Sequence, residues 1–133
     1  MNWFSIRTPL CQADIESLEE ALDVRLPEDY KCQIGPINGG ALKNACIRLP
    51  QLGDVPYSRN VPLHKEACAG IFDLLPILNG STPTLFPFAS VGNGDYFCFD
   101  LEADCVVVYL HETLTTQYVC QTFTELLDSL ITE

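Results

Sequence analysis

Residues 85–101 read LFPFASV, GNGD, YFCFDL, two apolar runs joined by an Asn-Gly turn, and no other stretch limits the possible folds as strongly. An Asn-Gly pair between apolar runs is the strongest short-range signal for an antiparallel hairpin, because the favoured turn needs positive φ at its centre. In the second run Phe97, Phe99 and Leu101 fall on one face, with Tyr96, Cys98 and Asp100 on the other. The turn at 102–104 leads into CVVVYLHE at 105–112, whose β-branched run predicts a further strand. Three strands in an antiparallel meander therefore organise the second half of the chain.

Helices are expected at both ends. Ile15, Leu18 and Leu22 recur at helical spacing while Glu16, Glu19, Glu20 and Asp23 fill other faces, with Asp14 as the expected N-cap. Pro27 fits the first position of a short second helix through Tyr30 and Cys32, ended by Gly35 and Pro36. Tyr30, one turn inside it, is expected to pack on the sheet. Asn38, Gly39 and Gly40 then permit a sharp reversal. Near the end, Thr122 and Glu125 have capping-box spacing, and Phe123, Leu126, Leu127, Leu130 and Ile131 continue at helical intervals. The middle, 41–90, is punctuated by prolines and is expected to be mostly loop, with a strand at 45–50 and a short helix at 63–75. The fold class expected is α+β: an antiparallel or mixed sheet flanked by N-terminal and C-terminal helices.

Charge is divided unevenly. Residues 1–65 carry eight acids and seven bases, whereas 66–133 carry ten acids and neither Lys nor Arg. The whole chain has a net charge of −11, which disfavours nucleic acid and anionic membranes as partners and favours a basic protein. With 133 residues and 47% apolar composition, one domain over 1–133 is the economical organisation. No apolar run reaches the ~18 residues of a spanning helix, and the opening MNWFSIRTPLC has no signal-peptide core, so a cytoplasmic location is expected. Seven cysteines, no two closer than seven positions apart, fit neither a disulfide framework nor a zinc knuckle. Most of them are expected to pack in the core as small hydrophobes.

No catalytic, cofactor-binding or metal-binding residue is expected. His64 and His111 stand 47 positions apart and no cysteine is placed beside either by spacing. Asp100, Glu102 and Asp104 are spaced like the start of a calcium loop, but Cys105 occupies the position that needs glycine and His111 the one that needs glutamate. GNGD lacks the helix and lysine of a phosphate loop. The candidate partner-binding residues are instead Asp95, Tyr96, Asp100, Glu102, Asp104, Tyr109 and Glu112, acids on the turns of the meander with tyrosines between them. Asp95 and Asp100 also have a plain reading as turn-building carboxylates.

Two segments carry a family resemblance: LPEDYKCQIGPINGG at 26–40, through Leu26, Pro27, Asp29, Tyr30, Asn38, Gly39 and Gly40, and VGNGDYFCFDL at 91–101, through Gly92, Gly94, Asp95, Phe97, Asp100 and Leu101. Both resemble signature stretches of the SUKH superfamily, the Smi/Knr-like proteins. Gly35 and Pro36 stand where that family usually continues its second helix with apolar residues, so a shortened helix is expected. The resemblance implies an α+β fold and a non-enzymatic binder. In bacteria it implies an immunity protein that blocks one cognate toxin delivered between competing cells; in fungi, a regulatory scaffold binding cellular proteins. Acidity adds that the toxin is basic, with nucleases the class that fits best. A small cysteine hydrolase is the third, least supported class.

Overall fold

The computed structural model describes residues 1–79 and 84–132. Residues 80–83, part of the stretch expected to be loop, lie outside the described residues. Four α-helices and eight strands are formed among those described, an α+β architecture with two antiparallel sheets.

The larger sheet is the meander, extended at both sides. Strands β4 (Leu85–Ser90), β5 (Tyr96–Asp100) and β6 (Cys105–Leu110) are the three expected ones, flanked by β3 (Arg59–Asn60) and β7 (Thr115–Cys120) in the order β3-β4-β5-β6-β7. The register sets Phe86 opposite Phe99 and Phe97 opposite Val108, with an irregularity at Phe88 that keeps Phe86, Phe88 and Ala89 all fully buried. The expected strand 105–112 stops at Leu110. His111 begins a turn there because its backbone N–H is taken by the Asp95 carboxylate, and Leu114 closes the turn at φ 57°.

A second, smaller sheet was not foreseen. It has the order β2-β1-β8, from β1 (Ala45–Leu49), β2 (Gly53–Pro56) and β8 (Ile131–Thr132). Ile131 was expected to end the last helix; instead that helix, α4 (Phe123–Ser129), stops as Leu130 turns extended, and Ile131 pairs with Cys46.

The helices lie where the apolar spacing places them, with shifted ends. Helix α1 (Gln12–Leu22) buries Ile15 and Leu18 and ends on Asp23 in the left-handed conformation at φ 53°. Its N-cap is Cys11, not Asp14. The helix starts one turn early because the Asp14 carboxylate, inside the first turn, accepts the Cys11 N–H at 2.9 Å. Helix α2 (Glu28–Ile34) has Pro27 as its N-cap and not, as expected, at its first position, and continues as a 3-10 turn over Gly35–Ile37. Helix α3 (Ile71–Asn79) begins eight residues later than expected because the chain winds through turns at 64–70, with Ala69 left-handed at φ 53°. Pro76 stands inside it.

Tyr30 is the hinge of the core. Fully buried, it meets Phe86, Phe88, Phe99 and Phe123 at centroid distances of 6.3, 6.0, 4.9 and 5.1 Å, mostly edge to face. Such geometry directs the positive ring edge at a neighbouring π face. One side of the larger sheet is thereby sealed by α2 and α4. The cysteines do not follow the expectation: only Cys98 is buried, while Cys11, Cys32 and Cys68 are exposed and Cys46, Cys105 and Cys120 are half-buried. Cys11 caps a helix and Cys32 lies on the outer side of α2, so their placement follows local geometry and not apolarity.

Candidate partner-binding surface

Because turns alternate between the ends of a meander, the seven candidate residues divide into two groups. Asp95, Tyr96, Tyr109 and Glu112 gather at the end that holds the 91–95 and 111–114 turns. Asp100, Glu102 and Asp104 gather at the opposite end, at the 101–104 turn. Strands of five to six residues separate the groups by roughly 17 to 20 Å.

The first group is built around a clasp. Gly92 and Gly94 take φ of 111° and 101°, Val91 N–H bonds the Asp95 carbonyl at 3.1 Å, and the Asn93 side-chain oxygen accepts the Asp95 N–H at 3.0 Å. This tight reversal presents the Asp95 carboxylate to His111, whose backbone N–H and ring Nδ1 both bond Oδ1. The His111 ring lies on Gly94, where an added Cβ would stand 3.2 Å from Nδ1. Burial acts to raise the Asp95 carboxyl, but the His111 N–H, ring and charge outweigh it and hold the group below the usual carboxylate range. Tyr96 and Tyr109 pair directly across β5 and β6, half-buried, on the face away from the phenylalanines. Glu112 is exposed on its turn.

In the second group Asp100 builds the turn: its Oδ1 accepts the N–H groups of Glu102 at 3.1 Å and Ala103 at 3.0 Å. Glu102 and Asp104 are exposed. Beside them is a cleft of about 170 Å³ lined by Asp100, Asp104, Cys105 and Gln121 on one side and Arg25 and Asp29 on the other. The Asp29 carboxylate joins α2 to α4 there, accepting the N–H and hydroxyl of Thr124, each at 2.9 Å.

Among the described residues, ion pairs made by Lys or Arg are confined to the first half of the chain. The Lys and Arg ion pairs found among the described residues are Lys31 with Glu19 and Glu28, and Arg48 with Asp54. The acids of the meander have no Lys or Arg partner among the described residues, and Asp95 alone is matched, by a histidine. Carboxylates left uncompensated and solvated keep a negative field around both turns.

His64, His111, Cys98 and Cys120 are engaged in structure. His64 Nδ1 meets the Asn38 side-chain nitrogen at 3.0 Å; that buried carboxamide also donates to the Thr8 carbonyl and accepts the Leu63 N–H. Asn38 thus ties together the N-terminal segment, the 35–40 reversal and the 61–64 loop. Burial pushes the Cys120 thiol up to about 11, with the Glu125 charge adding to it, and raises Cys98 further. Such thiols stay protonated and unreactive. No group of three or more metal-ligating side chains occurs among the described residues, and no helix among them is long and apolar enough to cross a membrane.

Sequence reasoning missed β7 and its exposed Tyr118, although TTQYVC carries the β-branched and aromatic composition of a strand. It also missed that His111 belongs to the Asp95 turn.

A family model described as SMI1 / KNR4 family (SUKH-1) matches residues 9–129. No curated protein and no solved structure matches the chain.

Proposed function

Since the chain belongs to the SMI1 / KNR4 family (SUKH-1), we propose that it is a cytoplasmic immunity protein, one domain over 1–133, that binds a cognate basic toxin and blocks it. A nuclease is the toxin class the acidity favours, because a cleft that holds phosphates must be cationic. The single observation that carries this reading is the unpaired negative charge on the meander turns: Glu102, Asp104 and Glu112 are exposed and no Lys or Arg follows Lys65. Carboxylates so placed stand in for substrate phosphates at the mouth of a cationic site. Association is accelerated by the long-range attraction and the complex is completed by close contact.

A binder also fits the side chains better than an enzyme does. His64 and His111 are held by Asn38 and Asp95, and the thiols of buried Cys98 and half-buried Cys120 are raised away from the thiolate form. The test is co-expression with the product of the adjacent gene, which the reading requires to be a toxin. Survival of the cells together with co-purification of a stoichiometric pair is expected. Purification of the pair without any protection would refute neutralisation, and capture of cellular regulatory proteins in its place would favour a scaffold.

A further inference from the structure

Strand β7 is the last of the larger sheet, and no strand pairs with its outer side among the described residues. A free edge offers a row of backbone N–H and C=O groups, and proteins usually blunt such edges with charge, proline, bulges or brevity. The other edges follow that rule: β3 and β8 have two residues each, and β2 carries Asp54 and Pro56. By contrast β7 has six residues, TTQYVC, with no charge and no proline. Its one irregularity is a register shift opposite Val106 and Val107. Thr115, Thr116 and Tyr118 are exposed along it.

Both ends of this edge are acidic. Glu112 stands in the turn that enters β7. At the exit, Gln121 donates its side-chain amide to the Asp104 carbonyl at 2.7 Å and its backbone N–H to the Glu125 carboxylate at 3.2 Å. The two acidic groups at opposite ends of the meander are therefore bridged by one open strand. We infer that β7 is a strand-addition site for an extended segment of a basic partner, with Lys or Arg at each end of the segment meeting Glu112 and the Asp104 and Glu125 pair. Backbone bonds supply the adhesion and the end charges fix register and identity. A second copy of this chain is the poorer occupant, since it would bring another net charge of −11 to the same edge. The inference rests on the reading of the protein as a binder of a basic toxin and names the surface used.

The probe is an acetylated, amidated peptide, Lys-Thr-Val-Thr-Val-Thr-Val-Lys, added to the full chain while amide hydrogen exchange is followed. Slowed exchange at 115–120 is expected, with affinity falling on the order of tenfold when the end lysines become glutamates. A peptide of equal charge with a central proline should not bind. Equal binding of the proline peptide, protection elsewhere, or no binding at millimolar peptide would overturn the site. Dimerisation that slows exchange at 115–120 in the protein alone would overturn the choice of a basic partner. With the cognate toxin the two ideas separate. Neutralisation with unchanged exchange at 115–120 removes the edge and leaves the immunity reading, whereas peptide addition without any toxin binding does the reverse.

Discussion

The Asp95 carboxylate holds both the backbone N–H and the ring of His111, so one side chain fastens two turns 16 residues apart in sequence. Removing it in Asp95→Ala leaves the His111 N–H without its acceptor and should destabilise the fold by about 1 to 3 kcal/mol. Urea unfolding checks this; no change in midpoint would show that the clasp is ornamental.

The same carboxylate sets part of the acid response. Its folded-state pKa is lowered, so its stabilisation is complete above the unfolded value of ~3.9 and is lost as pH falls through the folded value. Stability measured from pH 5 downward should therefore decline less steeply in Asp95→Asn than in the parent. Parallel curves would contradict the assignment.

Gly94 combines φ 101° with contact against the His111 ring. Gly94→Ala should cost about 1 to 3 kcal/mol, from backbone strain and a displaced imidazole. Thermal unfolding provides the reading, and an unchanged Tm would mean that the turn relaxes freely.

The Tyr30 hydroxyl is buried with no hydrogen-bond partner among the described residues, and burial pushes its phenol well above the ordinary value. Tyr30→Phe should consequently be neutral or stabilising by up to about 2 kcal/mol, while Tyr30→Ala should lose about 3 to 5 kcal/mol by opening a cavity among four phenylalanines. A strongly destabilised Tyr30→Phe would point to a partner for the hydroxyl.

Glu102 and Glu112 are exposed acids at opposite ends of the meander that make no side-chain bond in building its turns. In the double variant Glu102→Lys, Glu112→Lys, association with the toxin should slow by about tenfold or more at low salt, with a flatter dependence on ionic strength. Stopped-flow rates over a salt series measure it; a rate that stays fast would exclude electrostatic steering by these turns.

The parts of the fold legible in the sequence are those made by neighbours along the chain. GNGD between apolar runs yields the β4 and β5 hairpin, and Thr122 with Glu125 yields the cap of α4, whose Thr122 hydroxyl accepts the Glu125 N–H at 3.1 Å. Tyr30 was placed on the sheet from its position in α2, where it is found. What escaped depends on distant partners. Ile131 continues a helical pattern, yet its backbone is taken by Cys46, 85 positions earlier. The apolar spacing at 63–75 is interrupted by a left-handed Ala69 that no composition rule marks. For the site, residue types on turns were readable, but their division between two ends of the sheet requires the count of strands, and β7 was missed although its composition is that of a strand.

The unequal way the two sheets are closed has a consequence in time. The meander joins neighbours through turns of a few residues, as β1 joins β2, whereas the third strand of the smaller sheet waits for Ile131 and Thr132 to reach Ala45 and Cys46. Closing so long a loop carries a larger entropic cost before any contact rewards it. Refolding should thus proceed with the aromatic half assembling early and β8 docking as the final step, so that truncating this last pairing would speed unfolding far more than it slows folding.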